Sequence, residues 1–237
     1  MSVKKDLFRF KQFVVAQEQT AMKVGTDGVL LGAWADIKMA KNILDIGAGT
    51  GLIALMCAQR QPLANIDAIE IDPAAAHQAT ENFKNSKWSK RLQLIHSDFI
   101  MFVPEKKYDV IISNPPYFDE NNLNSNQQRA IARHNQQLSL EELISRSKKI
   151  LQPKGSIQLI LPADKLETVK QIIRQEQLFL NKLCFVKGHA KAKVKRILVK
   201  ISHIDKPLKE SHLIIEYSRH HYTDDYIQLT RDFYLKM

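Results

Sequence analysis

The sequence predicts an α/β chain with a mostly parallel sheet and helices on both of its faces. Three observations carry that expectation. Short apolar runs alternate with helical stretches along most of the 237 residues, the pattern of a sheet wound on both faces. One such run opens directly into a glycine loop and then an apolar helix. Acidic residues then recur at the ends of successive runs, where open α/β sheets build their sites.

The first strand is Asn42-Ile43-Leu44-Asp45-Ile46, followed by Gly47-Ala48-Gly49-Thr50-Gly51 and a buried helix over residues 52–58. Glycines at that point permit a tight turn and close backbone approach to a ligand. Their spacing is Gly-x-Gly-x-Gly, whereas the dinucleotide fingerprint is Gly-x-Gly-x-x-Gly, so S-adenosylmethionine suits the loop better than a pyrophosphate. Asp45, Gly47, Gly49 and Gly51 are the candidate cofactor residues of this element.

A second strand, residues 65–73, ends in the acids Glu70 and Asp72 ahead of Pro73. A carboxylate about twenty residues beyond the glycine loop is placed to accept both ribose hydroxyls. Glu70 is assigned that role, with Ile71 beside it among the cofactor contacts. Asp72 precedes a proline at a first helical position and is expected to cap a helix over residues 73–83. The third strand, residues 92–95, leads to Ser97-Asp98-Phe99. There Asp98 falls near the cofactor's adenine amine, with the Phe99 ring beside it.

The fourth strand, Tyr108-Asp109-Val110-Ile111-Ile112-Ser113, runs into Asn114-Pro115-Pro116-Tyr117. Two prolines fix φ and remove two N–H donors, leaving the Asn114 amide and the Pro115 carbonyl as acceptors facing one point. Tyr117 offers a flat ring next to them. Such a site holds a planar NH2 group, an amide or an aminated base, by its hydrogens and its face. An ordinary Pro-Pro turn is the plainer reading of the tetrapeptide by itself.

With these residues in place the chain resembles a class I S-adenosylmethionine-dependent methyltransferase of the Asn-Pro-Pro-Tyr type, over residues 42–162. A narrower resemblance rests on Phe10-Lys11-Gln12-Phe13, residues 22–35, Ala132-Arg133-His134 and Tyr222-Thr223-Asp224. These are similar to the bacterial tRNA1(Val) (adenine-37-N6)-methyltransferase family. The resemblance implies a Rossmann-like, mostly parallel seven-stranded sheet with a C-terminal antiparallel hairpin, S-adenosylmethionine as cofactor, tRNA as partner, and Asn114, Pro115 and Tyr117 as catalytic residues. It also implies that Lys23, Thr26 and Asp27 approach the cofactor's methionine end, Lys23 by pairing with its carboxylate. A helix start at Asp27 is the alternative.

After the catalytic turn, residues 119–128 are polar and without period, a loop over the site. Arg129 and Arg133 follow, set against tRNA phosphate, against the cofactor, or as a solvated helix start. Ser139 then caps an amphipathic helix through Leu151, and Pro153-Lys154-Gly155 turns the chain into a central strand at residues 156–161. Residues 183–186, 197–204 and 213–217 read as a closing hairpin and an added edge strand. Between the first two lie Lys191, Lys193, Lys195 and Arg196, a grip for the tRNA backbone or else a solvated hairpin tip.

Composition agrees. Lys plus Arg number 35 against 25 Asp plus Glu, a net charge of +10, which favours a polyanionic partner. Residues 182–237 hold twelve Lys plus Arg and six Asp plus Glu, so most of the excess lies there. Cys57 and Cys184 are expected to be buried free thiols, with no metal signature. The histidines, among them His96, His134, His189, His220 and His221, form no catalytic dyad. No targeting segment, membrane-length apolar run or repeat is visible, so a cytoplasmic protein is expected. One domain spans residues 1–237, comprising a capping segment (1–40), a catalytic core (41–204) and a C-terminal extension (205–237). The oligomeric state is open, a monomer being favoured.

Three alternatives remain. A glutamine methyltransferase acting on a release factor uses the same turn, although about forty residues before the glycine loop leave little room for a helical substrate domain. DNA adenine methylation would require a larger recognition region. A catalytically silent RNA-binding module would require a broken cofactor site.

Overall fold

The computed structural model describes residues 6–20, 22–116 and 138–237. A small antiparallel hairpin, β1 (Leu7–Arg9) and β2 (Val14–Ala16), precedes helix α1 (Thr26–Trp34). The core then alternates β3 (Asn42–Ile46), α2 (Leu52–Arg60), β4 (Asn65–Glu70), α3 (Pro73–Lys84), β5 (Leu92–His96) and β6 (Tyr108–Ser113). It continues through α4 (Leu140–Ile150), β7 (Leu151–Pro162), α5 (Leu166–Gln175), β8 (Phe179–Lys187), β9 (Arg196–Ser202) and β10 (Lys209–Ile214). A second hairpin, β11 (Glu216–Ser218) and β12 (His221–Tyr222), leads to α6 (Asp224–Thr230).

The main sheet runs β10-β8-β9-β7-β6-β3-β4-β5. Strands β5, β4, β3, β6 and β7 are mutually parallel, while β9 is antiparallel to β7 and β8. Seven strands form the expected sheet with its closing hairpin, and β10 is the added edge strand, paired in parallel to β8. Strand order reverses at β3, with β4 and β5 on one side and β6 and β7 on the other. This is the switch point at which such sheets open a crevice.

The parallel strands are apolar on both faces, as burial from two sides requires. Ile43, Ile66, Val110 and Ile112 pack with Leu31, Leu52, Leu55 and Phe83 on one face. Leu44, Ile69 and Ile111 pack with Leu143, Ile144, Ile172 and Ile173 on the other. Helix starts follow the residues expected to make them. Asp72 accepts from the Ala75 N–H at 2.8 Å with Pro73 in the first turn, and Ser139 and Glu142 form a reciprocal capping box for α4.

One expectation fails here. Pro153-Lys154-Gly155 is no turn ahead of a strand, because β7 already begins at Leu151 and contains those residues. Tyr108 pairs with Leu151, but Val110 pairs with Ser156, so the surplus residues are taken up as a bulge. Gly155 permits it: a Cβ there would lie 2.9 Å from the Tyr108 and Asp109 carbonyl oxygens.

The segment before the core packs on the C-terminal extension. Phe10 bridges Tyr234, the Lys11 N–H donates to the Phe233 carbonyl at 2.8 Å, and the Phe10 ring stacks on Phe13 and Tyr234. Asn82 on α3 ties the same segment to the core. Its buried amide accepts from the Ala16 N–H and donates to the carbonyls of Ala16 and Thr50, each at 2.9 Å. Both cysteines are free and buried, and burial pushes the Cys57 thiol up to about 12. Among the described residues no helix is long and apolar enough to cross a membrane.

Candidate active site

The parallel register places the candidate residues at one level. Ile46 lies opposite Ser113 on β6 and opposite Ile69 on β4, and Glu70 lies opposite His96 on β5. The glycine loop, the Asn114 turn, Glu70 and Asp98 therefore leave neighbouring strands at the same edge. The Ser113 hydroxyl donates to the Ile46 carbonyl at 2.8 Å, which locks the start of the turn to the start of the loop. Asn114 and Pro115 follow, half-buried, and Pro116 is exposed. Tyr117, Arg129 and Arg133 lie outside the described residues.

Gly47, Gly49 and Gly51 have φ of 70°, 55° and 78°, values that favour glycine. Backbone N–H groups of Gly47 and Ala48 donate to the Ile69 carbonyl, fastening the loop to β4. Among the described residues a Cβ on Gly47 or Gly49 would meet no atom within 4 Å, whereas one on Gly51 would come 2.4 Å from the Phe83 ring. Gly51 is thus required for packing against the protein, and the other two face open space.

Glu70 is only 8% exposed and holds the crevice together. One carboxylate oxygen accepts from the Gly49 N–H at 2.7 Å, and the other accepts from Ile71 and Asp72, both at 2.9 Å. Ile71, next to it, is 56% exposed, an apolar face at the crevice edge. Asp45 is 1% exposed. Its Oδ2 accepts from the Ala54 N–H at 3.1 Å, while Oδ1 has no hydrogen-bond partner among the described residues. Burial, reinforced by the nearby Glu70 charge, raises its pKa to about 7.

An acceptor left without a donor in a buried site is costly, and glycines opening on empty space make a cradle. Both fit a bound cofactor that carries positive charge.

The remaining candidate cofactor residues have partners within the protein. Asp98 accepts from the Ile100 N–H at 2.8 Å, closing its own turn. The Phe99 ring is 5% exposed and packs among Leu44, Ile46 and Ile69, so it supports the crevice from within the core. Lys23 pairs with Asp6 at 2.6 Å. Thr26 and Asp27 open α1, whose N-cap is Gly25, and Asp27 Oδ2 accepts from Arg196 Nε at 2.7 Å.

That pair separates Arg196 from the three lysines it was grouped with. Lys191, Lys193 and Lys195 are exposed and form no ion pair among the described residues, whereas Arg196 reaches back to the rim of the site. Sequence reasoning missed this contact, and its one available signal was the opposite charge of two residues, one at a predicted helix start and one in a predicted loop. Among the described residues no group of three or more His, Cys, Asp or Glu is arranged to hold a metal ion.

A family model described as the methyltransferase small domain matches residues 21–188. The chain is 45% identical over 233 residues to the tRNA1(Val) (adenine(37)-N6)-methyltransferase of Bacteroides fragilis, covering 97% of this chain and 98% of the relative. The protein of the same name from Flavobacterium psychrophilum is 47% identical, with 98% and 100% covered. Among solved structures, a predicted O-methyltransferase from Agrobacterium tumefaciens superposes with a TM-score of 0.69 at 20% identity, over 87% of this chain and 96% of that one. TYW2 of P. horikoshii, solved with MeSAdo, gives 0.59 at 17% identity, over 84% and 71%. The structural likenesses speak for the fold.

Proposed function

The chain belongs to the methyltransferase small domain family and, within it, to the tRNA1(Val) (adenine(37)-N6)-methyltransferases, and from that premise we propose how its residues methylate N6 of adenine 37 in tRNA1(Val). The observation that most supports the reading is that Asn114-Pro115-Pro116 directly follow β6, the strand beside the one that opens into the glycine loop, at the switch point of the sheet.

Bound S-adenosylmethionine supplies an electrophilic methyl group on a sulfonium. Gly47 and Gly49 would leave room for it, Glu70 and Ile71 would hold its ribose and adenine, and Asp45 would offer a carboxylate to its positive charge. The N6 lone pair of adenine is delocalised into the purine, which makes the free amine a poor nucleophile. Asn114 Oδ1 and the Pro115 carbonyl accept the two N6 hydrogens and localise that pair on nitrogen. Tyr117 stacks on the base and holds it in line. Alignment and hydrogen bonding carry most of the rate, and the proton leaves as or after the new bond forms.

An anticodon-loop adenine costs less to unstack than one in a duplex, which suits a compact chain. Segments 1–40 and 205–237 cap a single unit built on residues 41–204, working on tRNA in the cytoplasm. Lys191, Lys193 and Lys195 meet the tRNA backbone.

The deciding experiment is transfer of labelled methyl to total tRNA from cells lacking this gene, followed by nucleoside analysis. Label in N6-methyladenosine of one valine tRNA is expected. Unlabelled RNA beside a release factor methylated on glutamine would keep the chemistry of the turn and replace its substrate.

A further inference from the structure

A cleft of about 710 Å³ lies between the β1 hairpin, the start of α1, the β11–β12 hairpin and the C-terminal extension. Its volume falls inside the roughly 300–1,000 Å³ span of ligand clefts. Nothing in the methyl-transfer chemistry above uses it. It nevertheless borders the segment assigned to the cofactor's methionine end, since Thr26 lines it and adjoins Asp27.

Sheet topology explains the position. β8 and β10 run parallel to each other and antiparallel to β9, which is itself antiparallel to β7. The ends of β8 and β10 therefore come out at the edge where β6 delivers Asn114. The ladder then continues past the strands: the Ile215 N–H donates to the Lys187 carbonyl at 2.9 Å, and the Glu216 N–H to that of Gly188 at 3.0 Å. The lysine-bearing loop and the β11–β12 hairpin are thereby joined into one wall.

The lining has two chemistries. Arg9, Arg219 and Lys236 are exposed and form no ion pair among the described residues. Glu216, the acid of the lining, is engaged by the hairpin itself: its Oε2 accepts from the His220 N–H at 3.0 Å, holding His220 at a φ of 63° and fixing the tip that carries Arg219. Tyr222 and Tyr234 bring half-buried rings to the cleft, Tyr222 braced on Tyr226 at 5.3 Å and Tyr234 on Phe10 at 5.9 Å. Cations around braced aromatic faces are what single-stranded RNA requires, the first for phosphate and the second for an unstacked base.

Resting on the tRNA reading above, we propose that this cleft is a second nucleotide site, which takes a base of the anticodon loop next to the methylated adenine. Drawing one base into the Asn114 pocket breaks its stacking on a neighbour, and the cleft supplies that neighbour with a replacement surface.

The test is fluorescence anisotropy with a labelled valine anticodon stem-loop RNA, run alongside methyl transfer to the same RNA. The exposed-charge variant R9A/R219A/K236A is expected to raise the RNA Kd about tenfold or more and to flatten its log-log salt dependence by about 2–3. Its S-adenosylmethionine Kd should match wild type. In an abasic scan, one loop position should weaken wild type but leave Tyr222→Leu indifferent. If wild type methylates the RNA while both variants bind it as wild type does, with no position-specific difference, the second site is overturned and the enzyme assignment stands. Wild type that transfers no methyl to tRNA would overturn both.

Discussion

Arg196, the first residue of β9, and Asp27, in the first turn of α1, meet Nε to Oδ2 at 2.7 Å across 169 residues of chain. Arg196 ends the lysine-bearing loop, and Asp27 stands in the segment assigned to the cofactor's methionine end. One ion pair thus connects the surface proposed to hold RNA with the rim proposed to hold the methyl donor.

Both side chains are about one-third exposed, so solvent screens the pair. A double-mutant cycle of Asp27→Asn and Arg196→Gln should give a coupling of about 1 kcal/mol. Each single change should lower Tm by about 2–4 °C in thermal unfolding. Strictly additive losses would mean that the two side chains stabilise the fold independently.

Asn114→Ala should cut kcat by about a thousandfold or more, since a donor or acceptor aimed at the reacting atom acts chiefly in the transition state. S-adenosylmethionine affinity, measured calorimetrically, should stay within about threefold of wild type. Undiminished turnover would remove Asn114 from the chemistry.

The glycine loop yields a contrast between neighbours. Gly51→Ala adds a left-handed backbone penalty and a clash with the buried Phe83 ring, together about 2–5 kcal/mol of stability. Gly49→Ala has the backbone penalty without a clash and should cost about 1–2 kcal/mol. Its methyl group would enter the open space, so cofactor affinity should fall more than stability does. Denaturant titration and a cofactor binding isotherm on both variants separate the two effects.

Asp45 makes both stability and cofactor binding depend on pH. Its folded pKa, about 7, lies above the unfolded value near 4, so the folded state binds the proton more tightly. The contribution to stability is complete below about pH 4, is lost as pH rises to about 7, and is flat above, amounting to about 4 kcal/mol at most. Subtracting the pH profile of Asp45→Asn isolates it from the depressed carboxylates Asp6, Asp36 and Glu176, which act in the opposite sense. A cationic ligand prefers the ionised acid. Binding of S-adenosylmethionine below pH 7 should therefore release a proton, visible in calorimetry with two buffers of different ionisation enthalpy, and should strengthen as pH rises to about 7.

Replacing Lys191, Lys193 and Lys195 together by Ala should weaken tRNA binding and reduce its log-log salt slope by up to about 3, leaving cofactor binding unchanged. Equal affinities at several salt concentrations would assign the loop to solvent alone.

Much of this fold is legible in sequence because parallel strands buried on both faces write themselves as short, predominantly apolar runs, and because Asp72 and Ser139 are local start signals acting on adjacent backbone. The positions of Glu70 and Asn114 follow from the same logic, the one closing its strand and the other standing just past the end of its own. Long-range pairings carry no such mark. The Arg196 contact with Asp27, the bridge from Phe10 to Tyr234 and the Asn82 clasp each join residues far apart in sequence. Lys23 illustrates the converse: its charge was clear, but its partner Asp6 came from a distant point on the same segment. The bulge at Gly155 was hidden because Pro-Lys-Gly is also what a true turn contains.

The Asn82 clasp has a consequence for how the chain breathes. Its one amide is hydrogen-bonded to the backbone of Ala16 and to Thr50 in the glycine loop, so a single side chain links β2 to that loop. Opening of the two should be coupled, since ordering either one helps to hold Asn82 in place for the other. In hydrogen exchange, the Ala16 amide should slow together with loop amides such as Gly49 when cofactor is added, although β2 need never touch the ligand.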